Sequence, residues 1–149
     1  MDMDQMGPAA QSIHEAVTRL RGTEPTMKIE LASALVAEGI LLSRTAKASE
    51  AEKQIREAIS LLEQALPPGH PSLLASHGAL GESLLAQGRV VDAEKLLLQS
   101  ATLPAGRAHV ARRHALQRLI KLYEHKQDRQ AAERTRHELA AFERQVQSQ

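Results

Sequence analysis

Apolar residues recur along this chain at three- and four-residue steps, and nowhere at the two-residue step of a half-buried strand, so the pattern predicts helices from end to end. Ile13, Val17 and Leu20 form one stripe that Gly22 and Pro25 close, which predicts an amphipathic helix over 9–21. Met27, Leu31, Leu35, Leu42 and Ala46 carry a stripe through a second, longer helix. Ile55, Ile59, Leu62 and Leu66 mark a third that starts near Ser49, where Ser49-Glu50-Ala51-Glu52 reads as a capping box. Pro67-Pro68-Gly69 cannot continue a helix, whereas Pro71 suits the first turn of a fourth that runs to about Gln87. Gly88 then supplies a tight reversal into a fifth helix at 90–102. Pro104-Ala105-Gly106 follows, then a sixth helix at 107–126 and a seventh at 129–146. Short connections make consecutive helices antiparallel, so hairpins should stack on hairpins.

A further regularity lies on top of the helices: Ala-x-x-x-Leu followed by proline, at Ala16/Leu20/Pro25, Ala58/Leu62/Pro67 and Ala93/Leu97/Pro104. With His77-x-x-Leu80-Gly81-x-x-Leu84 ahead of Ala93, this resembles the tetratricopeptide repeat. Gly81 and Ala93 would be the points where the two helices of a hairpin approach most closely. The unit before it offers Leu35, Gly39 and Leu42, then Ala58, Leu62 and Pro67, with seven more residues between Leu42 and Ala58 than between Leu84 and Ala93, so its hairpin should stand a turn taller at the tip. The unit after it has Leu116, Leu119, Tyr123 and Ala132, with Ile120 where a small residue is usual and Arg136 where an apolar one is usual.

The 42-residue step from Gly39 to Gly81, and the Leu66-Pro67-Pro68-Gly69-His70-Pro71 linker, look like the longer kinesin-light-chain type of this repeat. The resemblance implies an all-α, right-handed α-solenoid of about three antiparallel hairpins plus an N-terminal extra helix, seven helices in all. Residues 9–147 would form this single domain after a disordered 1–8. Ala16, Leu20 and Pro25 match only the second half of a unit, which suggests a piece of a longer protein, or else an orphan helix serving as a cap. At the other end, Arg129, Arg134, Arg136, Glu138, Glu143 and Arg144 surround the stripe Leu139, Phe142 and Val146, as a solvent-facing terminal helix should.

Composition narrows the chemistry. The chain is 42% hydrophobic but 1% aromatic, so leucine and alanine must fill the interior, which favours closely packed helices. With no cysteine, disulfides, thiolate metal sites and cysteine nucleophiles are excluded. The seven histidines, His14, His70, His77, His109, His114, His125 and His137, are nowhere paired at helical metal-site spacing, so exposed or capping roles are expected and no metal or other cofactor is implied. Gly78-x-x-Gly81-x-Ser83 lies mid-helix without the lysine or the strand-turn context of a phosphate loop or nucleophile elbow. Acidic pairs such as Glu50 with Glu52 or Glu57 read as solvating charges. No catalytic constellation is present, so no enzyme is expected.

One charge asymmetry stands out. The net charge is +1, yet residues 107–137 hold Arg107, Arg112, Arg113, Arg118, Lys121, Lys126, Arg129, Arg134 and Arg136 against Glu124, Asp128 and Glu133. In tetratricopeptide-like arrays the first helices of the hairpins line the concave face, and helical offsets then place Ser33, Val36, Ala37 and Ile40, Ala75, Gly78, Ala79 and Glu82, and His114, Gln117, Arg118 and Lys121 along it. Arg118 and Lys121 are expected to be exposed. A groove passing from small and apolar to basic implies a non-catalytic protein–protein interaction module that takes a partner peptide or helix, one with an acidic segment fitting its basic end. The alternatives are the C-terminal regulatory or scaffolding region of a larger signalling enzyme, such as a bacterial kinase or transcriptional regulator, and a basic nucleic-acid-binding repeat, which the lack of stacking aromatics disfavours. The apolar first helix could mediate self-association. Without a signal sequence or a long apolar run, no membrane is involved and a cytoplasmic protein is expected.

Overall fold

The structure is a computed structural model that describes residues 7–22, 27–45, 47–102 and 109–148. Pro25, Ala46, Pro104, Gly106 and Arg107 lie outside them, as do residues 1–6 of the segment 1–8 expected to be disordered, whereas Gly7 is the N-cap of the first helix and Pro8 its first residue. Among the described residues the chain forms seven helices and no strand: α1 (Pro8–Arg21), α2 (Lys28–Ser43), α3 (Ala48–Ala65), α4 (Pro71–Ala86), α5 (Val90–Ala101), α6 (His109–His125) and α7 (Arg129–Gln147). Boundaries fall within about two residues of their expected places, because the punctuating residues act locally, except that α2 ends at Ser43, short of the expected Ala46. Pro71 opens α4 and the His70 ring nitrogen accepts the Ser72 amide N–H at 3.2 Å. Gly88, at φ +74°, ends α4 in a reversal in which the Arg89 amide donates to the Leu84 carbonyl at 2.9 Å. The same turn recurs 39 residues on, where Gln127 takes the left-handed φ of +59° and the Asp128 amide donates to the Tyr123 carbonyl. Asp128 then caps α7 by accepting the Ala131 N–H.

Every helix packs on the next, and α4 packs in addition on both α2 and α6. The second helices, α3, α5 and α7, make at most marginal contact with one another. The inner row α2–α4–α6 is therefore the close-packed one and the outer row is splayed, which curves the stack towards the inner row. Leucine, isoleucine and alanine fill the interior in two clusters, one over α1–α5 and one over α5–α7, with Leu85 packed against both.

Glycine sets the distance between helices. A Cβ on Gly39 would lie 2.5 Å from Ile55 Cγ1, and one on Gly81 would lie 3.1 Å from Leu97 Cδ2. The contact partner of Gly81 is thus Leu97, one turn beyond the expected Ala93, although Ala93 is itself fully buried. Both contacts span the same step along the chain, which corrects the repeat register. Ala51 and Ile55, not Ala58 and Leu62, are the counterparts of Ala93 and Leu97, and all four are fully buried. The two hairpins have tips of equal height, since α2 and α4 are 16 residues each. The extra length sits at the far end of α3, which runs for 18 residues against 12 in α5.

The capping box is also corrected. Lys47 occupies the N-cap of α3 without a side-chain bond, and Ser49 turns to Gln87. Glu52 is no solvating charge either: its carboxylate accepts from Arg56, Gln87 and Arg89, and so ties α3 to the α4–α5 turn. Beside it the Ala48 carbonyl accepts the Ser83 hydroxyl at 2.9 Å. Burial raises the Glu52 pKa, but the donated hydrogen bonds outweigh it and hold the carboxyl below its usual range.

Candidate functional site

Between α4 and α6 the inner row carries an open cleft. Glu82 on α4 and His114, Gln117, Arg118 and Lys121 on α6 line a cleft of about 160 Å³ there. Drug-sized pockets run from about 300 Å³ upward, so this cleft has room for a side chain and not for a whole small molecule. Arg118 donates through Nε to Glu82 Oε1 at 2.6 Å, and its side chain keeps 24% exposure against 40% for Glu82. The expected full exposure of Arg118 is thus corrected: the guanidinium lies against α4. It can do so because residue 78 is glycine, since a Cβ there would sit 2.8 Å from Arg118 Nη1. Gly78 therefore serves a side chain from the neighbouring repeat rather than the approach of two helix backbones.

Of the twelve groove candidates, Gly78, Glu82, His114, Gln117, Arg118 and Lys121 come together at this cleft. Ala75 is exposed on α4, one turn before Gly78. Val36 and Ile40 on α2 pack partly against the core, which makes them supports of the wall more than contact residues. Ser33 is exposed on α2, while Ala79 is buried.

Folding cancels most of the basic excess of 107–137. Arg112 pairs with Glu138, Arg113 with Glu143, Arg118 with Glu82, Lys126 with Glu94, and Arg136 with both Glu124 and Glu133. Four of those carboxylates lie outside the segment, so a linear count could not include them. Lys121, Arg129 and Arg134 meet no carboxylate at ion-pair distance among the described residues, and of these Lys121 alone lines the cleft.

Two titratable groups outside the cleft stand out: Glu38, and His77, whose expected exposed or capping role is corrected by its burial. Glu38, on α2, is 2% exposed and holds His14 Nδ1 of α1 at 2.6 Å, while its other carboxylate oxygen has no partner among the described residues. The detectable signal was an acidic residue three positions from Leu35 and seven from Leu31, on the apolar stripe of α2. His77 is half-buried against α3, and that burial lowers its pKa against the opposing pull of Glu63. Leu66, Leu73 and Leu74 join these two around an apolar depression of about 350 Å³. Val91 and Leu98 leave an apolar stripe exposed on the outer face of α5. No group of three or more His, Asp or Glu residues suited to a metal is formed among the described residues. No described helix is long and apolar enough to cross a membrane.

No family model matches the chain, and no curated protein matches it significantly. Among solved structures it is similar to a crystal structure of nearly identical TPR-like repeats from a kinesin-light-chain-type protein of Podosopora anserina. The identity is 24% and the TM-score 0.62, over 95% of this chain and 68% of the other. The chain therefore has the TPR-like repeat fold, an all-α solenoid of antiparallel hairpins.

Proposed function

We propose that this TPR-like array is a non-catalytic protein-interaction module that receives a peptide or helix of a partner protein along α2, α4 and α6. The observation that carries the reading is the cleft between α4 and α6, set in the inner row and rimmed by exposed donors on a well-packed support. Shape argues for a side-chain guest, since the cleft is small and open, and the guest needs a longer segment to hold it in place. Ala75, His114, Gln117 and Lys121 are the exposed contacts, and Glu82 with Arg118 forms the polar floor. The test is affinity capture from a native extract with the full chain and with Ala75→Glu/His114→Glu/Lys121→Glu, after circular dichroism has established that both fold alike. Prey lost by the triple variant supports the inner row; prey retained unchanged moves the interaction to another face.

A further inference from the structure

We propose that the outer face of α5 is a self-association surface, on which α5 of a second copy of this chain packs in parallel to form a short two-helix seam. The surface is independent of the inner row and of whatever partner that row receives. Among the described residues the exposed large apolar side chains fall in two places: Met27, Ile29 and Val110, on or beside the inner-row helices α2 and α6, and Val91 and Leu98, on α5. Val91 is 79% exposed and Leu98 44%. Single exposed apolar residues are ordinary, but these two stand seven residues apart on one face, about 10 Å along the helix. Lys95 and Thr102 complete the line, so the face reads Val91, Lys95, Leu98, Thr102 at alternating steps of four and three, the spacing of a coiled-coil seam. The approach is open as well, since the splayed outer row leaves α3 and α7 in at most marginal contact with α5.

Charge decides both the occupant and its direction. Lys95 is exposed and meets no carboxylate at ion-pair distance among the described residues. Beside it Glu94 is held by Lys126 at 2.7 Å and by Tyr123, and keeps 23% of its side chain exposed. A carboxylate has room for about four donors, so Glu94 can take a second cation. Helical offsets put Glu94 and Lys95 on opposite sides of the seam. A two-fold axis running along the helices brings Lys95 of each copy to the side on which the other carries Glu94, with Val91 on Val91 and Leu98 on Leu98. Antiparallel pairing would set Glu94 against Glu94 and Lys95 against Lys95, so the face is its own complement in one direction only. A lysine within a seam fixes the register at a cost in strength. One 12-residue helix per copy also falls short of the about 1,200 Å² of total buried surface that a stable complex needs, so the dimer is weak.

The experiment follows the full chain by sedimentation velocity from about 10 µM to about 1 mM, the range in which an interface this small forms. The wild type should pass from monomer to dimer across that series. Val91→Glu/Leu98→Glu should stay monomeric with an unchanged circular dichroism spectrum, because both side chains are exposed. Lys95→Leu, which makes the seam more apolar, should tighten the dimer at least about tenfold, whereas Lys95→Glu, which meets Glu94 of the second copy, should weaken it at least about threefold. Because the chain has no cysteine, single Val91→Cys and Leu98→Cys variants report the direction: with oxidised glutathione each should cross-link to itself, and an equimolar mixture of the two should yield few mixed products. Mixed products in excess would overturn the parallel pairing. A wild type that is monomeric at every concentration would overturn the surface, as would a dimer that survives Val91→Glu/Leu98→Glu. Ala75→Glu/His114→Glu/Lys121→Glu should dimerise as the wild type does; loss of the dimer there would place self-association on the inner row and refute the assignment to α5.

Discussion

Gly39→Ala should destabilise the protein while Gly81→Ala should not, although the two glycines hold the same place in successive repeats. At Gly81 the added methyl would meet Leu97 Cδ2 at 3.1 Å and Cγ at 3.3 Å, contacts on a fully buried but β-unbranched side chain that a shift of a few tenths of an ångström relieves. At Gly39 it would meet Ile55 Cγ1 at 2.5 Å and Cδ1 at 2.9 Å, with the Ala51 carbonyl oxygen at 3.4 Å. Ile55 is fully buried and branched at Cβ, so relief requires helix displacement or an off-rotamer side chain. Overpacking of this kind costs about 1–3 kcal/mol. Alanine regains about 0.8–1.0 kcal/mol of helix propensity in both variants. A 2.5 Å contact places Gly39→Ala in the upper half of that range, so the net expectation is a loss of about 1–2 kcal/mol for Gly39→Ala, and a change within about 0.5 kcal/mol of zero for Gly81→Ala. At this chain length the first corresponds to a melting point lowered by roughly 2–8 °C. Urea and thermal melts followed by circular dichroism at 222 nm give both numbers. Ile55→Ala closes the cycle: alone it should cost about 2–5 kcal/mol through its cavity, but in the Gly39→Ala background the new methyl fills part of that cavity, so the double variant should be more stable than additivity allows. Equal costs at the two glycines, or strict additivity with Ile55→Ala, would refute the steric account.

Three further outcomes follow from the charges and polar groups. Tyr123 is the only tyrosine and tryptophan is absent, so phenolate absorbance reports on it alone. Burial, reinforced by Glu94, pushes its pKa up to about 12, so the neutral phenol's contribution to stability is complete below about pH 10 and disappears as the pH climbs to about 12; a folded chain titrating near pH 10 would sink this. Glu52→Ala should cost about 1–2 kcal/mol at pH 7 by releasing Gln87 and Arg89. Because the folded pKa of Glu52 is depressed, the stability it confers is present above the ordinary carboxylate pKa and is lost as the pH falls through the folded value, so urea midpoints of wild type and variant should converge in acid. His14→Ala strands the buried Glu38 carboxyl group and should cost about 1–3 kcal/mol; His14→Leu/Glu38→Leu should recover most of that, since apolar packing can replace a partly buried polar pair, and hydrogen exchange in α1 would locate the loss.

The helices themselves were legible in the order of residues because what starts and stops them is local. Pro71 opens α4 through its own ring, Gly88 turns the chain through its own missing Cβ, and the apolar period survives whatever the helix packs against. The 42-residue recurrence of Gly39 and Gly81 was equally readable, and with it the stacked-hairpin architecture. What packs opposite each glycine was not. Ala51/Ile55 and Ala58/Leu62 carry the same small-then-large spacing seven residues apart on one helix, and only the three-dimensional fit of Ile55 beneath Gly39 separates them. The same limit hid the charge balance: Glu82, Glu94, Glu138 and Glu143 lie up to 36 positions from the cations they neutralise, a distance over which sequence order says nothing about proximity. Helix formation is decided over a few residues and so belongs to the sequence alone; the choice of partners, and with it the cleft between α4 and α6, is decided by packing between repeats and so belongs to the tertiary structure.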